Sequence, residues 1–129
     1  MPTHTTATTW SRSGETISQS VSVTADGEIN ADVALTASQA NKQVDVAIDV
    51  SDLKSLLISS DVNCTVYTNA ASGGSPDQTI AITADKPLVW NQYSGLENPL
   101  DTDVTALYIT NGAAAAGTVK IRALLDVTP

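Results

Sequence analysis

The side chains that most often carry out chemistry are sparse in this chain and poorly spaced for it. There is one histidine, His4, and one cysteine, Cys64, in 129 residues. A nucleophilic triad would need a serine and a carboxylate held against His4. That residue sits in the Thr-rich stretch MPTHTTATTW, four positions from a flexible end. A zinc site needs Cys and His ligands at set spacings, which the sequence lacks. Asp45, Asp49 and Asp52, and likewise Asp101-Thr102-Asp103, could attract calcium, but neither run matches an EF-hand loop. Ser72-Gly73-Gly74-Ser75 lacks the lysine and the strand-to-helix setting of a phosphate loop. Spacing alone does not exclude a carboxylate pair for sugar hydrolysis, yet no surrounding aromatic cluster supports a glycosidase cleft. The residues do not point to an enzyme, and they imply no metal and no cofactor.

Aromatic side chains are the other candidates. Trp90 and Tyr93, with Tyr67, could form a flat platform for a sugar ring. A tryptophan that ends a short strand is more often a core plug or an interface anchor. Trp10 stands alone in a polar stretch, where a large aromatic is expected to dock on its own domain or on a neighbour. Cys64 lies in DVNCTVYTN in phase with Val62 and Val66, the position of a small buried hydrophobe. As a lone cysteine it can form no intramolecular disulfide. Asn63-Cys64-Thr65 formally matches a glycosylation sequon, but a strand interior is a poor acceptor site.

The elements that must position these groups read as strands. The final stretch, DVTALYITNGAAAAGTVKIRALLDVTP, contains two strand-like runs joined by a glycine-bounded alanine loop. In the second run Val119, Ile121, Ala123, Leu125 and Val127 alternate with Lys120, Arg122, Leu124 and Asp126, giving one dry face and one mostly wet face. This end of the chain is expected to be tied into a sheet. Ile17, Gln19, Val21 and Val23 share one face, as do Ile29, Ala31, Val33 and Leu35. A three-residue loop, Asp26 to Glu28, would pair Val23 with Ala31 and Val21 with Val33, with Gly27 at positive φ. Val44, Val46, Ile48 and Val50 predict another strand, and Ser51 to Lys54 a capped turn. Shorter strands follow around 56–59, 62–68, 79–83 and 87–90. Residues 70–77 and 91–102 read as loops.

Eight or nine short strands with turns between them predict an all-β fold, an antiparallel β-sandwich and specifically a jelly roll. The length suits one domain. Residues 1–13 are expected to be an extended arm or first edge strand, and 14–129 a single sandwich. A net charge of −8 would repel nucleic acid and anionic membranes. No run is long and apolar enough for a signal peptide or a membrane span, which leads to the expectation of synthesis in the cytoplasm.

The segments VDVAIDVSDLKSLLISSDVNCTVYTN, PDQTIAITADKPLVW, TDVTALYITNG and GTVKIRALLDVTP resemble small virion proteins encoded by tailed bacteriophages. The likeness covers about two-thirds of the chain, extends more loosely over 15–35, and leaves out 1–13. It implies a head decoration, or cement, protein on the outer surface of the capsid, tying neighbouring major capsid protein subunits together. Its motifs are fold-shaped, so it brings no active-site residues. Symmetric lattice positions favour a homo-oligomer, a trimer or a dimer. The expected interface is Trp10 and Arg12 of the arm with Trp90, Tyr93 and Leu96. The alternative is a carbohydrate- or host-surface-binding module of the virion, associated with a tail or fibre.

Overall fold

The computed structural model describes residues 1–127; Thr128 and Pro129, the last residues of the expected terminal strand motif, lie outside the described residues. The chain is all-β, and among the described residues there is no helix. Its strands are β1 (Thr3–Arg12), β2 (Glu15–Thr24), β3 (Gly27–Leu35), β4 (Lys42–Val44) and β5 (Leu53–Ser60), then β6 (Cys64–Thr68), β7 (Thr79–Ile82), β8 (Leu88–Asn91), β9 (Leu107–Asn111) and β10 (Gly117–Leu125). Strands β3 to β10 form two antiparallel four-stranded sheets, ordered β3-β10-β5-β8 and β4-β9-β6-β7, while β1 and β2 form a separate two-stranded sheet.

The two four-stranded sheets pack as a sandwich because their period-two apolar sets face each other. Val119, Ile121 and Ala123 of β10, Leu56 and Ile58 of β5 and Trp90 of β8 meet Val66 of β6 and Leu107 and Ile109 of β9 in one buried cluster. With no Phe in the chain, aliphatic interdigitation and one tryptophan fill this core. Side chains of alternating phase turn outward, where Arg122 pairs with Asp32 across β10 and β3 at 2.7 Å.

Two expectations about local structure are corrected. The hairpin over 15–35 does not form. Strand β2 pairs instead with β1, and β3 pairs with β10 in the register Val33–Val119, Ala31–Ile121 and Ile29–Ala123. Period two selects the face a strand buries but not its neighbour, and the nine-residue β10 has the same phase. Gly27 is therefore not a positive-φ turn residue. It lies opposite Leu125, and a Cβ there would sit 3.1 Å from the Leu125 carbonyl oxygen. The turn that does form is Ser13-Gly14, with Gly14 at φ 83° and Arg12 opposite Glu15. The second correction concerns 44–50. Val44, Val46, Ile48 and Val50 all face the core, but the ladder ends at Val44 and only an Ile48–Val104 bridge follows.

The arm expected over 1–13 is mostly strand, and its hairpin has two different faces. Thr3–Thr24, Thr5–Ser22 and Thr9–Ser18 meet through hydroxyl pairs at 2.8, 2.9 and 3.3 Å on the outward face. The inward face carries His4–Val23, Thr6–Val21, Thr8–Gln19 and Trp10–Ile17 as cross-strand neighbours. Its base is seated on the sandwich where Val23 and Ala25 cover Leu124, which is fully buried although it belongs to the outer face of β10. The one apolar residue in an otherwise polar row (Lys120, Arg122, Leu124) is thus the footing of the hairpin.

Replacing that footing tests the arrangement. Leu124→Ala is expected to lower unfolding free energy by about 2–5 kcal/mol, the range for a buried leucine truncated in place, read from urea denaturation. A loss below about 0.5 kcal/mol, typical of surface sites, would contradict the seating of the hairpin on β10.

Candidate interaction surface

The groups that sequence reasoning weighed for chemistry are mostly structural. Asp49 accepts from the Ser51 backbone N–H at 3.0 Å and from the Ser51 hydroxyl at 2.7 Å, and these bonds hold its carboxyl below the usual range. Asp103 accepts from the Val50 N–H at 2.9 Å, and Asp45 from the Gln43 side chain at 3.0 Å. Among the described residues no group of three His, Cys, Asp or Glu side chains is placed to hold a metal ion. Cys64 is buried, as its phase predicts; desolvation raises its pKa, with a smaller opposing effect from a hydrogen bond to Ser60.

His4 is held by side chains of two other strands. It lies within a paired strand, with Nε2 3.0 Å from Glu28 Oε2 and Nδ1 3.5 Å from Ser55 Oγ. A serine, a histidine and a carboxylate are therefore in a row beside a cleft of about 310 Å³ under the start of β1. Ser55 is buried beneath the hairpin, and its hydroxyl is at the outer limit of a hydrogen bond. The arrangement ties β1 to β3 and β5 across the outer face of the sheet.

The proposed interface residues divide into two groups. Trp90 is 8% exposed, and its indole N–H donates to the Leu96 carbonyl at 3.0 Å. It is a core plug. Tyr67 lies on the other sheet, directly opposite Tyr108, so the three-aromatic platform is not assembled. Trp10, Tyr93 and Leu96 are 51%, 65% and 71% exposed. Arg12, at the hairpin tip, is paired with Glu15 at 2.7 Å.

The buried Asn91 organises the display of Tyr93 and Leu96. Its Oδ1 accepts from the Tyr93 N–H at 2.9 Å, and its carbonyl accepts from the Ser94 N–H at 3.0 Å. Gly95 follows at φ 74°, a conformation glycine adopts without steric cost. The turn over 92–97 is exposed, whereas the second half of the expected 91–102 loop runs back to bury Leu100. Between this turn and the underside of the hairpin lies a second cleft, of about 440 Å³, bounded by Thr8, Gln19 and Val21 on one side and by Val89, Tyr93 and Leu96 on the other.

Sequence reasoning missed Ile17. It was assigned to the apolar face of a core hairpin, yet it is 48% exposed and lies across from Trp10. Gln19 interrupting that face was the available signal, since burial fades from Val23 through Val21 to nothing beyond it.

Neither a described protein family nor a curated protein matches the chain. Among solved structures, a chain from the disulfide-linked pili that form Bacillus endospore appendages is similar, with 18% identity over 82% of this chain and 98% of that chain and a TM-score of 0.36. A likeness at that level carries no argument about function.

Two expected outcomes follow from the placement of these side chains. Trp90→Ala should cost about 3–5 kcal/mol of stability, whereas Trp10→Ala should change it by no more than about 0.5 kcal/mol, as measured by chemical denaturation. Equal losses would reverse the division between plug and display. Cys64 should resist a thiol reagent in the native state and react at the rate of unfolding. Because folding raises this thiol's pKa, its contribution to stability is present below the unfolded value and declines as pH rises past about 8.5. Stability that grew with pH across that window in wild type but not in Cys64→Ser would contradict the assignment.

Proposed function

We propose that this chain is a bacteriophage head decoration protein, lying on the outer surface of the capsid and bridging major capsid protein subunits. The observation that carries the proposal is the combination of an acidic sandwich with a hairpin whose tip displays Trp10 and Ile17, and an exposed Tyr93–Leu96 turn across a cleft from the middle of that hairpin. A cement protein needs a rigid body that stays dispersed while free, and −8 net charge supports that. It also needs a contact made in many symmetric copies, so that modest individual affinities combine. Buried Cys64 leaves assembly independent of disulfides. We read the order β3-β10-β5-β8 over β4-β9-β6-β7 as the connectivity of a jelly roll, an architecture used in capsid proteins.

A carbohydrate- or host-surface-binding module needs an aromatic face open to a sugar ring. With Trp90 in the core, Tyr93 would have to supply that face alone.

Cryo-EM of the phage particle, with copy number from quantitative mass spectrometry, tests the proposal. The expected result is one copy set at symmetric positions on the head, with particles lacking the protein less resistant to heat. A few copies confined to the tail would overturn it in favour of adhesion. Deleting residues 2–12 would strip β2 of its partner, so the matching variant is Trp10→Ser with Ile17→Thr, which is expected to lower head occupancy while leaving the sandwich folded.

A further inference from the structure

We propose that the projecting half of the β1–β2 hairpin binds a second copy of this chain, with Trp10 and Ile17 of one copy seated against the Tyr93–Leu96 turn of the other. This deepens the decoration reading and takes its biological setting from it. The inward hairpin face carries apolar side chains at both of its ends. At its base Val23 is buried against Leu124, and further out the same face presents Trp10 and Ile17 side by side with half their surface in water. The domain covers only the base of this face; beyond the polar Thr8–Gln19 pair the apolar Trp10 and Ile17 are left uncovered. A neighbour completes the cover.

Charge selects the occupant. The chain carries −8 overall, so two copies repel wherever carboxylates face each other. The cleft under the hairpin is bounded by Thr6, Thr8, Gln19, Val21 and Leu96, with no carboxylate or cation among its walls. At the tip Arg12 and Glu15 neutralise one another. A basic partner would be drawn to the acidic remainder of the surface, whereas an equally acidic partner meets no carboxylate in the walls of this cleft. A copy of the chain is such a partner. The surface also offers both halves of such a contact, an exposed apolar pair in Trp10 and Ile17 and an uncharged cleft bordered by Val89, Tyr93 and Leu96. A contact between two different patches gives a closed ring when the rotation between copies closes, and a discrete oligomer is that closed case.

Native mass spectrometry and sedimentation equilibrium of the full chain at about 1–100 μM, the range that detects micromolar association, test the contact. The expected result is a discrete oligomer. Trp10→Ser with Ile17→Thr should raise its dissociation constant at least about thirtyfold, the effect of losing an interface hot spot, with thermal melting of the monomer unchanged. Mixing Trp10→Cys and Leu96→Cys chains under mild oxidation should give the mixed disulfide faster than either chain dimerises alone. A wild-type chain that stays monomeric throughout, or cross-linking that ignores position 96, would overturn the contact. Heads that lack the protein while the oligomer persists would overturn decoration alone, and decorated heads built from a monomeric protein would overturn this contact alone.

Discussion

The structure depends on where β9 and β10 are inserted. Each enters the middle of a different sheet, β9 between β4 and β6 and β10 between β3 and β5. An interior strand satisfies the backbone donors and acceptors of two neighbours, so without it both would expose unpaired edges. The largest fully buried side chains gather on these two strands, among them Leu107, Ile109, Val119, Ile121 and Leu124. Residues 112–116 carry the chain from one sheet to the other, and Asn111 fixes that crossing. Its amide donates to the Thr36 and Ala115 carbonyls at 2.9 and 2.8 Å and accepts from the Ala113 N–H at 2.9 Å. Gly117 then starts β10 in a space where a Cβ would lie 2.5 Å from a Val62 methyl carbon.

On this frame the hairpin is an addition with its own logic. Its outward face is a row of Thr and Ser hydroxyls, which suits a strand pair exposed to water. Its inward face changes role along its length. Near the base it is held by Leu124 and by His4 against Glu28; near the tip the same face is presented outward from the domain. One pattern of alternation therefore supplies both the attachment and the display, and the change occurs where Gln19 replaces a hydrophobe.

Much of the fold was legible because period-two alternation directly reports which face of a strand is dry. The all-β class, the two runs that became β9 and β10 and the buried phase of Cys64 all follow from it. Partnership was not legible. The apolar sets of 17–23 and 29–35 match one another in phase, but each pairs elsewhere, β2 with β1 and β3 with the equally in-phase β10. Residues 44–50 show the converse, correct faces without a ladder, because their bridging partner at Val104 lies in an irregular segment. Leu124 and Ile17 were misread for one shared reason. Alternation describes a sheet with two faces, and a third layer over part of one face changes what is buried there. For the candidate surface, the residue types were visible, but the proximity of the hairpin to the Tyr93–Leu96 turn rests on that third layer alone.

The late position of β9 and β10 also bears on how the molecule comes into being. Asp32 and Arg122 pair across 90 positions, and such distant pairings make folding slow. During synthesis β3, β4, β5 and β6 must wait, each with an unpaired edge, until the strands that separate them have emerged. The hairpin needs nothing beyond residue 24 for its own pairing, yet its seat at Leu124 is made about a hundred residues later. The nascent chain therefore carries its exposed Trp10–Ile17 tip before it has a body, and a product shortened before β10 would keep that apolar tip without the sandwich that orients it.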